Sequence, residues 1–206
     1  MPSPIPSLPE SAPFTVEQRA WLSGYMAGLL PGVLASGGVT GAASTSAPPE
    51  SSAPGGPRLP ILFGSQSGNA QGLAESFGEK LSAEGFASPV VNMEDHAEID
   101  LTKESHVLLV SSTWGEGDPP DNAVEFWKKL SAGDHPKLES LEFSVLALGD
   151  TNYADFCQMG KLFDARLEEL GAKRIAPRVD CDVEFEDPAE EWFAAVRSAL
   201  KTEAAA

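Results

Sequence analysis

Cysteine and histidine are scarce in this sequence of 206 residues, which contains two cysteines, Cys157 and Cys181, and three histidines. A small disulfide-stapled domain needs several cysteine pairs, and a structural zinc site needs cysteines and histidines clustered at short spacing. The sequence has neither pattern. Both classes of fold are therefore excluded, and the low cysteine content indicates a reducing, cytoplasmic environment.

Basic residues are also few. The chain has 14 lysines and arginines against 31 aspartates and glutamates, which gives a formal net charge of -17. A protein that binds nucleic acid needs a basic face for the phosphates, so this balance excludes a nucleic acid as partner. The acidity instead favours docking onto a basic partner protein.

Long apolar runs are missing as well. A membrane-spanning helix needs ~18 or more consecutive apolar residues, and no such stretch occurs. The opening residues, Met1-Pro2-Ser3-Pro4, lack the basic start and apolar core of a secretory signal. We therefore expect no membrane partner.

The first 57 residues differ in composition from the rest and predict two regions. In residues 1–35, Thr15 and Gln18 have the spacing of a capping box, and apolar residues then recur at helical spacing. This pattern predicts one amphipathic helix that docks on a partner, on another copy or on the main domain. Residues 36–57 are rich in Gly, Ala, Ser, Thr and Pro with Glu50 as their only charge, which is typical of a linker.

Residues 58–206 alternate short apolar runs with helical patterns and predict one α/β domain. The predicted strands are Pro60–Gly64, Pro89–Met93, His106–Ser111, Phe143–Leu148 and Lys173–Ala176. Helices are predicted near 69–85, 121–132, 157–170 and 188–201, the last with Asp187 as its N-cap. This alternation is typical of a parallel sheet with helices on both faces. Ligands of such sheets bind at the carboxyl ends of the strands, so the loops there hold the candidate residues.

The loop after the first strand reads Gly64-Ser65-Gln66-Ser67-Gly68-Asn69-Ala70-Gln71-Gly72 and opens a helix. Amides at a helix N-terminus bind phosphate, aided by the helix dipole. The loop has no lysine, which excludes a P-loop, and its glycines do not have the spacing of the dinucleotide-binding fingerprint. A phosphate cradle and an ordinary serine-capped turn both fit the pattern.

The loops after the third and fourth strands each contain an aromatic residue among small polar ones. In Ser111–Ala123, Trp114 stands between Thr113 and Gly115, and it is either a core residue or a stacking surface at the ligand edge. Its polar neighbours favour the stacking surface. In Leu148–Cys157, Tyr153 has a similar setting, so the two rings could clamp a planar group. A phosphate in one loop and a flat ring between the next two describe a phosphorylated flavin.

All three loops together resemble the FMN-binding loops of the diflavin reductases. The likeness extends over residues 58–201 and is strongest to the flavodoxin-like domain of the sulfite reductase flavoprotein component, through Asp155-Phe156-Cys157-Gln158 and the leader from Pro13 to Leu22. The resemblance implies a flavodoxin-like, doubly wound fold with a five-stranded parallel sheet in the order 2-1-3-4-5, and a separate N-terminal helix. It also implies FMN as the cofactor.

The resemblance assigns the cofactor-binding residues by position. The first loop would wrap the phosphate, the second would follow the ring and ribityl chain, and the third would line the other side. The residues implied are Ser65, Gln66, Ser67, Gly68, Asn69, Ala70, Ser112, Thr113, Trp114, Gly115, Gly117, Leu148, Gly149, Asp150, Asn152, Tyr153, Phe156 and Cys157.

Four of the loop residues have further interpretations. The resemblance implies that a flexible carbonyl in the second loop accepts the N5–H of the one-electron-reduced flavin, and Gly115 is the candidate because a side chain would resist the peptide flip. Glu116 and Asp118 either form a solvated rim or disfavour the reduced anion. Cys157 is either a thiol whose pKa falls at a helix start or a small side chain packed beside the flavin.

The function implied is electron transfer through FMN, one electron at a time, from an FAD- and NADPH-binding reductase module to a haem or iron–sulfur acceptor such as sulfite reductase haemoprotein. The family's reductase module is absent from these 206 residues, so the sequence is either an excised domain or a free-standing carrier that borrows a reductase. An FMN-dependent quinone reductase is an open alternative, although no hydride-donor site is evident. A phosphoryl receiver needs an aspartate after the third strand, where Ser111-Ser112-Thr113 stands.

Overall fold

The structure, a computed structural model, describes residues 56–203. The predicted N-terminal helix, the linker and the domain boundaries in residues 1–55 lie outside the described residues. None of the helices within 56–203 is long and apolar enough to cross a membrane.

A parallel sheet forms the centre of the domain. Its strands are β1 (Ile61–Gly64), β2 (Val90–Asn92), β3 (His106–Ser112), β4 (Glu142–Leu148), β5 (Lys173–Arg174) and β6 (Val179–Cys181). The strands lie in the order β2-β1-β3-β4-β5, and β6 also pairs with β4. The predicted order is confirmed.

The fifth strand position differs from the single strand predicted at Lys173–Ala176. There β5 pairs with the start of β4, and β6 pairs with its end at Leu146–Leu148. Pro177 lies between the two short strands, and because proline has no amide proton it cannot donate to a ladder. The strand is therefore split, and its second half brings a further loop to the carboxyl edge of the sheet.

Helices cover both faces, as predicted. They are α1 (Asn69–Ala83), α2 (Val124–Leu130), α3 (Gln158–Glu169) and α4 (Glu186–Glu203), with 3-10 turns at Met93–Glu98 and Asp121–Ala123. Asp187 lies inside the first turn of α4, so its prediction as the N-cap is wrong. The helix begins at Glu186, one residue before the predicted cap.

Two hydrophobic clusters hold the helices to the sheet. On one face α1 and α4 pack together, with the rings of Phe77 and Phe193 stacked at 4.4 Å between centroids. On the other face Phe126 of α2 and Phe163 of α3 lie 5.6 Å apart. Because β1, β3 and β4 run parallel to one another, the loops at their carboxyl ends lie at the same edge of the sheet.

One helix lies unusually close to the sheet. A Cβ atom added to Gly160 of α3 would lie 2.2 Å from the Cβ of Ala147 in β4. Only a glycine therefore fits at this point of α3. The close approach fixes the position of the loop that joins β4 to α3.

Candidate cofactor site at the strand ends

The loops after β1, β3 and β4 meet at the carboxyl edge of the sheet, where they enclose a cavity of about 420 Å³. Thirteen of the residues that the resemblance implies line it: Gln66, Ser67, Asn69, Ser112, Thr113, Trp114, Gly115, Leu148, Gly149, Asp150, Tyr153, Phe156 and Cys157. These residues come from three separate stretches of the chain. Their convergence is a property of the strand order, which places β1, β3 and β4 side by side.

The loop after β1 is shaped by a local serine bond. Ser65 Oγ accepts a hydrogen bond from the amide of Gly68 at 3.0 Å, and Gly68 has φ +92° in the left-handed region. That conformation suits glycine, and it turns the chain into α1. Within residues 56–203, the amides of Gln66, Ser67 and Asn69 have no hydrogen-bond acceptor. They are available donors at the positive end of the helix dipole.

Side chains from the second loop fasten the first loop. The amide of Ser65 donates to Asn122 Oδ1 at 2.9 Å. Gln66 Nε2 donates to Asp121 Oδ2 at 3.1 Å, and the Asp121 amide donates to Gln66 Oε1 at 3.0 Å. Asn122 Nδ2 in turn donates to Asn92 Oδ1 at the end of β2. These residues hold the loop in its conformation. They lie far apart in the chain, and no sequence pattern indicates that they meet.

The second loop contains a tight hairpin. The amides and carbonyls of Trp114 and Asp118 exchange two hydrogen bonds, at 2.9 and 2.8 Å. Gly115 and Gly117 both have positive φ, +53° and +96°, which closes the turn between them. The hairpin presents Trp114 with 55% of its surface exposed. The interpretation of Trp114 as a core residue is therefore wrong.

Thr113 connects the second loop to the third. Its amide donates to the carbonyl of Leu148 at 3.0 Å, and its Oγ1 accepts from the amide of Met159 at 3.1 Å. The second bond satisfies one of the unpaired donors in the first turn of α3. Thr113 thus caps a helix as well as lining the cavity.

The third loop carries the second exposed ring. Tyr153 is 62% exposed and follows Asp150, whose Oδ1 accepts hydrogen bonds from the amide and the side chain of Asn152. Thr151 donates to both carboxylate oxygens of Asp182, and its hydroxyl lowers the pKa of that carboxyl. These bonds attach the loop to the segment after β6.

Cys157 stands at the start of α3 with φ +55°, a left-handed conformation that is uncommon for a residue with a side chain. It is fully buried, and its Sγ donates to the carbonyls of Ala147 and Cys181, both at 3.5 Å. Burial raises the pKa of the thiol to about 12, and the charge of Asp180 adds to the rise. The interpretation of Cys157 as a thiol with a lowered pKa is therefore wrong, because burial outweighs the helix dipole.

Five implied residues lie beside the cavity and do not line it. Ser65 and Gly68 shape the first loop, and Ala70 is fully buried in the first turn of α1. Gly117 closes the hairpin at a point where a Cβ would meet Asp155, and Asn152 bonds to Asp150. Their positions indicate a role in the conformation of the loops.

Three lining residues were not implied by the sequence: Asp155, Val183 and Phe185. Asp155 lies in the loop already identified, so only its orientation was missing. Val183 and Phe185 follow β6, which the sequence did not predict as a strand. The sequence signal for this strand is the pair of apolar residues Val179 and Cys181, which belong to β6 and pair with the end of β4.

The cavity is acidic for a site that would take a phosphate. Among the described residues that line it there is no lysine or arginine, whereas Asp150 and Asp155 are both present. A phosphate would therefore be held without a cationic side chain, by backbone amides and the helix dipole together with the neutral donors Ser67 and Asn69. The residues fit a ligand with one phosphate at α1 and a flat ring near Trp114 and Tyr153, whose faces are exposed.

Comparison with known proteins finds relatives that carry the same fold. The flavodoxin family model matches residues 61–192. The chain is 49% identical over 197 residues to the sulfite reductase [NADPH] flavoprotein alpha-component of Bacillus subtilis, covering 95% of this chain and 31% of that protein. It is 44% identical over 179 residues to the same component of Vibrio parahaemolyticus, covering 85% and 28%. The chain spans about a third of the length of these relatives.

Solved structures are similar over the same region. A flavodoxin from Pseudomonas aeruginosa, solved as a cysteine-to-alanine mutant, superposes with a TM-score of 0.58 at 29% identity over 70% of this chain and 99% of its own. A flavodoxin of Streptococcus pneumonia TIGR4 has a TM-score of 0.59 at 24% identity, over 71% and 99%, and supports the fold alone. The chain belongs to the flavodoxin family, and its cofactor is FMN.

Proposed function

We propose that residues 58–206 form an electron-transfer domain that holds FMN in the cavity at the strand ends and passes electrons one at a time. The observation that carries this proposal is the convergence of three loops, with available amides on one side and two exposed rings on the other. FMN supplies the redox chemistry when bound. The protein's own part is to bind, orient and shield it.

The described residues divide this work between them. The amides of Gln66, Ser67 and Asn69 would receive the phosphate, and the Gln66–Asp121 bonds keep them in place. Trp114 and Tyr153 would bound the ring. Because the flavin carries the redox chemistry, no general acid or base is assigned among the residues that line the cavity.

The donor and acceptor are part of the proposal. The relatives are named as NADPH-dependent sulfite reductase flavoproteins, and this chain covers about a third of them. We therefore propose that electrons come from an FAD- and NADPH-binding reductase module and go to a haem or iron–sulfur partner, sulfite reductase haemoprotein being the first to test. Residues 1–35 are proposed as a docking or self-association segment.

Stepwise reduction of the purified chain tests the proposal. The chain is loaded with FMN and titrated anaerobically with dithionite while the absorption spectrum is recorded. Two separate one-electron phases support the carrier. A chain that does not retain added FMN would end the proposal.

Addition of NADPH alone distinguishes the alternatives. A carrier keeps its flavin absorption until a reductase module is also added. Direct bleaching by NADPH would instead support the FMN-dependent quinone reductase.

A further inference from the structure

Lys161 lies directly behind the cavity wall. Its Nζ donates to the carbonyl of Phe156 at 2.5 Å and stands 5.5 Å from the centre of the Phe156 ring. Phe156 and its neighbour Cys157 both line the cavity. The Lys161 ammonium is therefore separated from the interior by the thickness of one residue.

The charge of Lys161 is not neutralised by a direct partner. Within residues 56–203 it makes no ion pair, whereas the neighbouring Asp164 is paired with Arg174 and Arg178. Asp180, whose charge acts on Cys157, is paired with Arg178 at 2.7 Å. Asp164 and Asp180 are thus paired with arginines, and neither neutralises the charge of Lys161 directly.

The position of Lys161 is not explained by the stability of its helix. Residue 161 lies in the first turn of α3, where the helix dipole is positive and a cation is unfavourable. Acidic side chains are the residues that stabilise this turn. The first turn of α3 contains none.

We propose that Lys161 sets the reduction potential of the bound cofactor by stabilising its more negative, reduced form through the wall of the cavity. An electron added without a proton makes the cofactor more negative by one charge. A cation behind the wall, in a partly buried setting, favours that form. The lysine also opposes the effect of Asp150 and Asp155. This inference rests on the proposed function, because it needs FMN in the cavity.

The charge of Lys161 also acts on a residue of the cavity wall. Its charge lowers the pKa of Cys157, against the larger effect of burial, which raises it. Because Cys157 also lines the cavity, we expect a negative charge inside the cavity to be stabilised in the same direction.

The test measures the midpoint potential of FMN in the holoprotein together with the dissociation constant of oxidised FMN. The variants are Lys161→Met, Lys161→Gln, which stays a hydrogen-bond donor, and Lys161→Arg, which keeps the charge. Lys137→Met is the matched control, because Lys137 Nζ also donates to a carbonyl, that of Glu169, at 3.0 Å. Lys137 does not line the cavity.

In both neutral variants we expect a more negative potential and roughly threefold to tenfold weaker binding of reduced relative to oxidised FMN. Lys161→Arg and Lys137→Met should keep the wild-type potential. Unchanged potentials in Lys161→Met and Lys161→Gln would overturn the inference, and so would an equal shift in Lys161→Arg. If the wild-type chain does not bind FMN, the proposed function fails first.

Discussion

Gln66 and Asp121 exchange two hydrogen bonds across the gap between the loops after β1 and β3, although they are 55 positions apart in the chain. One bond uses the Asp121 amide and the other its carboxylate. The pair thus fastens the proposed phosphate loop to the loop that carries Trp114. It links two parts of the proposed cofactor site.

The substitution Gln66→Ala should weaken the affinity for FMN by about threefold to tenfold, since each exposed hydrogen bond contributes about 0.5–1.5 kcal/mol. Fluorescence titration of the apoprotein with FMN measures this. Gln71→Ala is the control, because Gln71 makes one exposed hydrogen bond, to Glu75 on the same helix. Equal affinities for the Gln66 variant and the wild type would contradict the role of the bonds.

Removal of either exposed ring should weaken FMN binding and restore flavin fluorescence. Trp114→Ala and Tyr153→Ala each lose a stacking surface that contributes about 0.5–1.5 kcal/mol beyond its buried area. Tyr153→Phe should bind like the wild type, because the ring is kept. Val124→Ala controls for loss of an exposed apolar side chain outside the cavity. If both alanine variants keep the wild-type affinity and quenching, the rings do not bound the flavin.

Gly115→Val should change the potential of the first electron more than that of the second, because Gly115 is the proposed flexible peptide beside the flavin. Its φ of +53° also makes any side chain strained. Gly85→Val is the control for strain, since Gly85 has φ +94° with open space around it. Spectroelectrochemical titration gives both potentials. If Gly115→Val has the wild-type potentials, the proposed peptide flip is wrong.

Both thiols should resist alkylation in the folded protein at pH 8. The pKa of Cys157 is raised to about 12 and that of Cys181 to about 11, in each case mainly by burial. Below the ordinary thiol pKa of 9.0 the thiols are protonated in both the folded and the unfolded protein. The raised pKa values of the folded state therefore leave the free energy of unfolding unchanged in that range. Above it the unfolded thiols ionise first, and the folded state loses stability as the pH rises.

Mass spectrometry after iodoacetamide treatment checks this at several pH values, with a urea-unfolded sample as the positive control. Rapid labelling of native Cys157 at pH 8 would mean that its thiol is accessible and ionised, contrary to its burial.

The fold could be predicted because its strands carry their own signal. Ile61–Gly64 and Val107–Val110 are short, apolar throughout and bounded by polar residues or turns, which favours strands buried on both faces. The loops after these strands are also evident from the sequence, because polar residues and glycines interrupt the apolar runs abruptly. The resemblance to a family supplied the strand order.

The missing parts depend on distant contacts. Nothing near Gln66 in the chain indicates Asp121, because the two meet only after β1 and β3 pair. Val183 and Phe185 were missed because β6 has three residues, too few to show a period. A helix start alone suggested a lowered pKa for Cys157, whereas the burial that raises it results from packing against Ala147 and Cys181.

The contact between Gly160 and Ala147 has a consequence for how this sequence can diverge. With 2.2 Å between the Ala147 Cβ and the place of a Cβ at 160, neither position can grow while the other stays as it is. An exchange of sizes, alanine at 160 together with glycine at 147, keeps the total volume. Either substitution alone gives a protein that is overpacked at this contact or has a cavity there. Substitutions at these two positions are therefore coupled. Because their contact sets the distance between α3 and the sheet, it also constrains the loop that carries Tyr153.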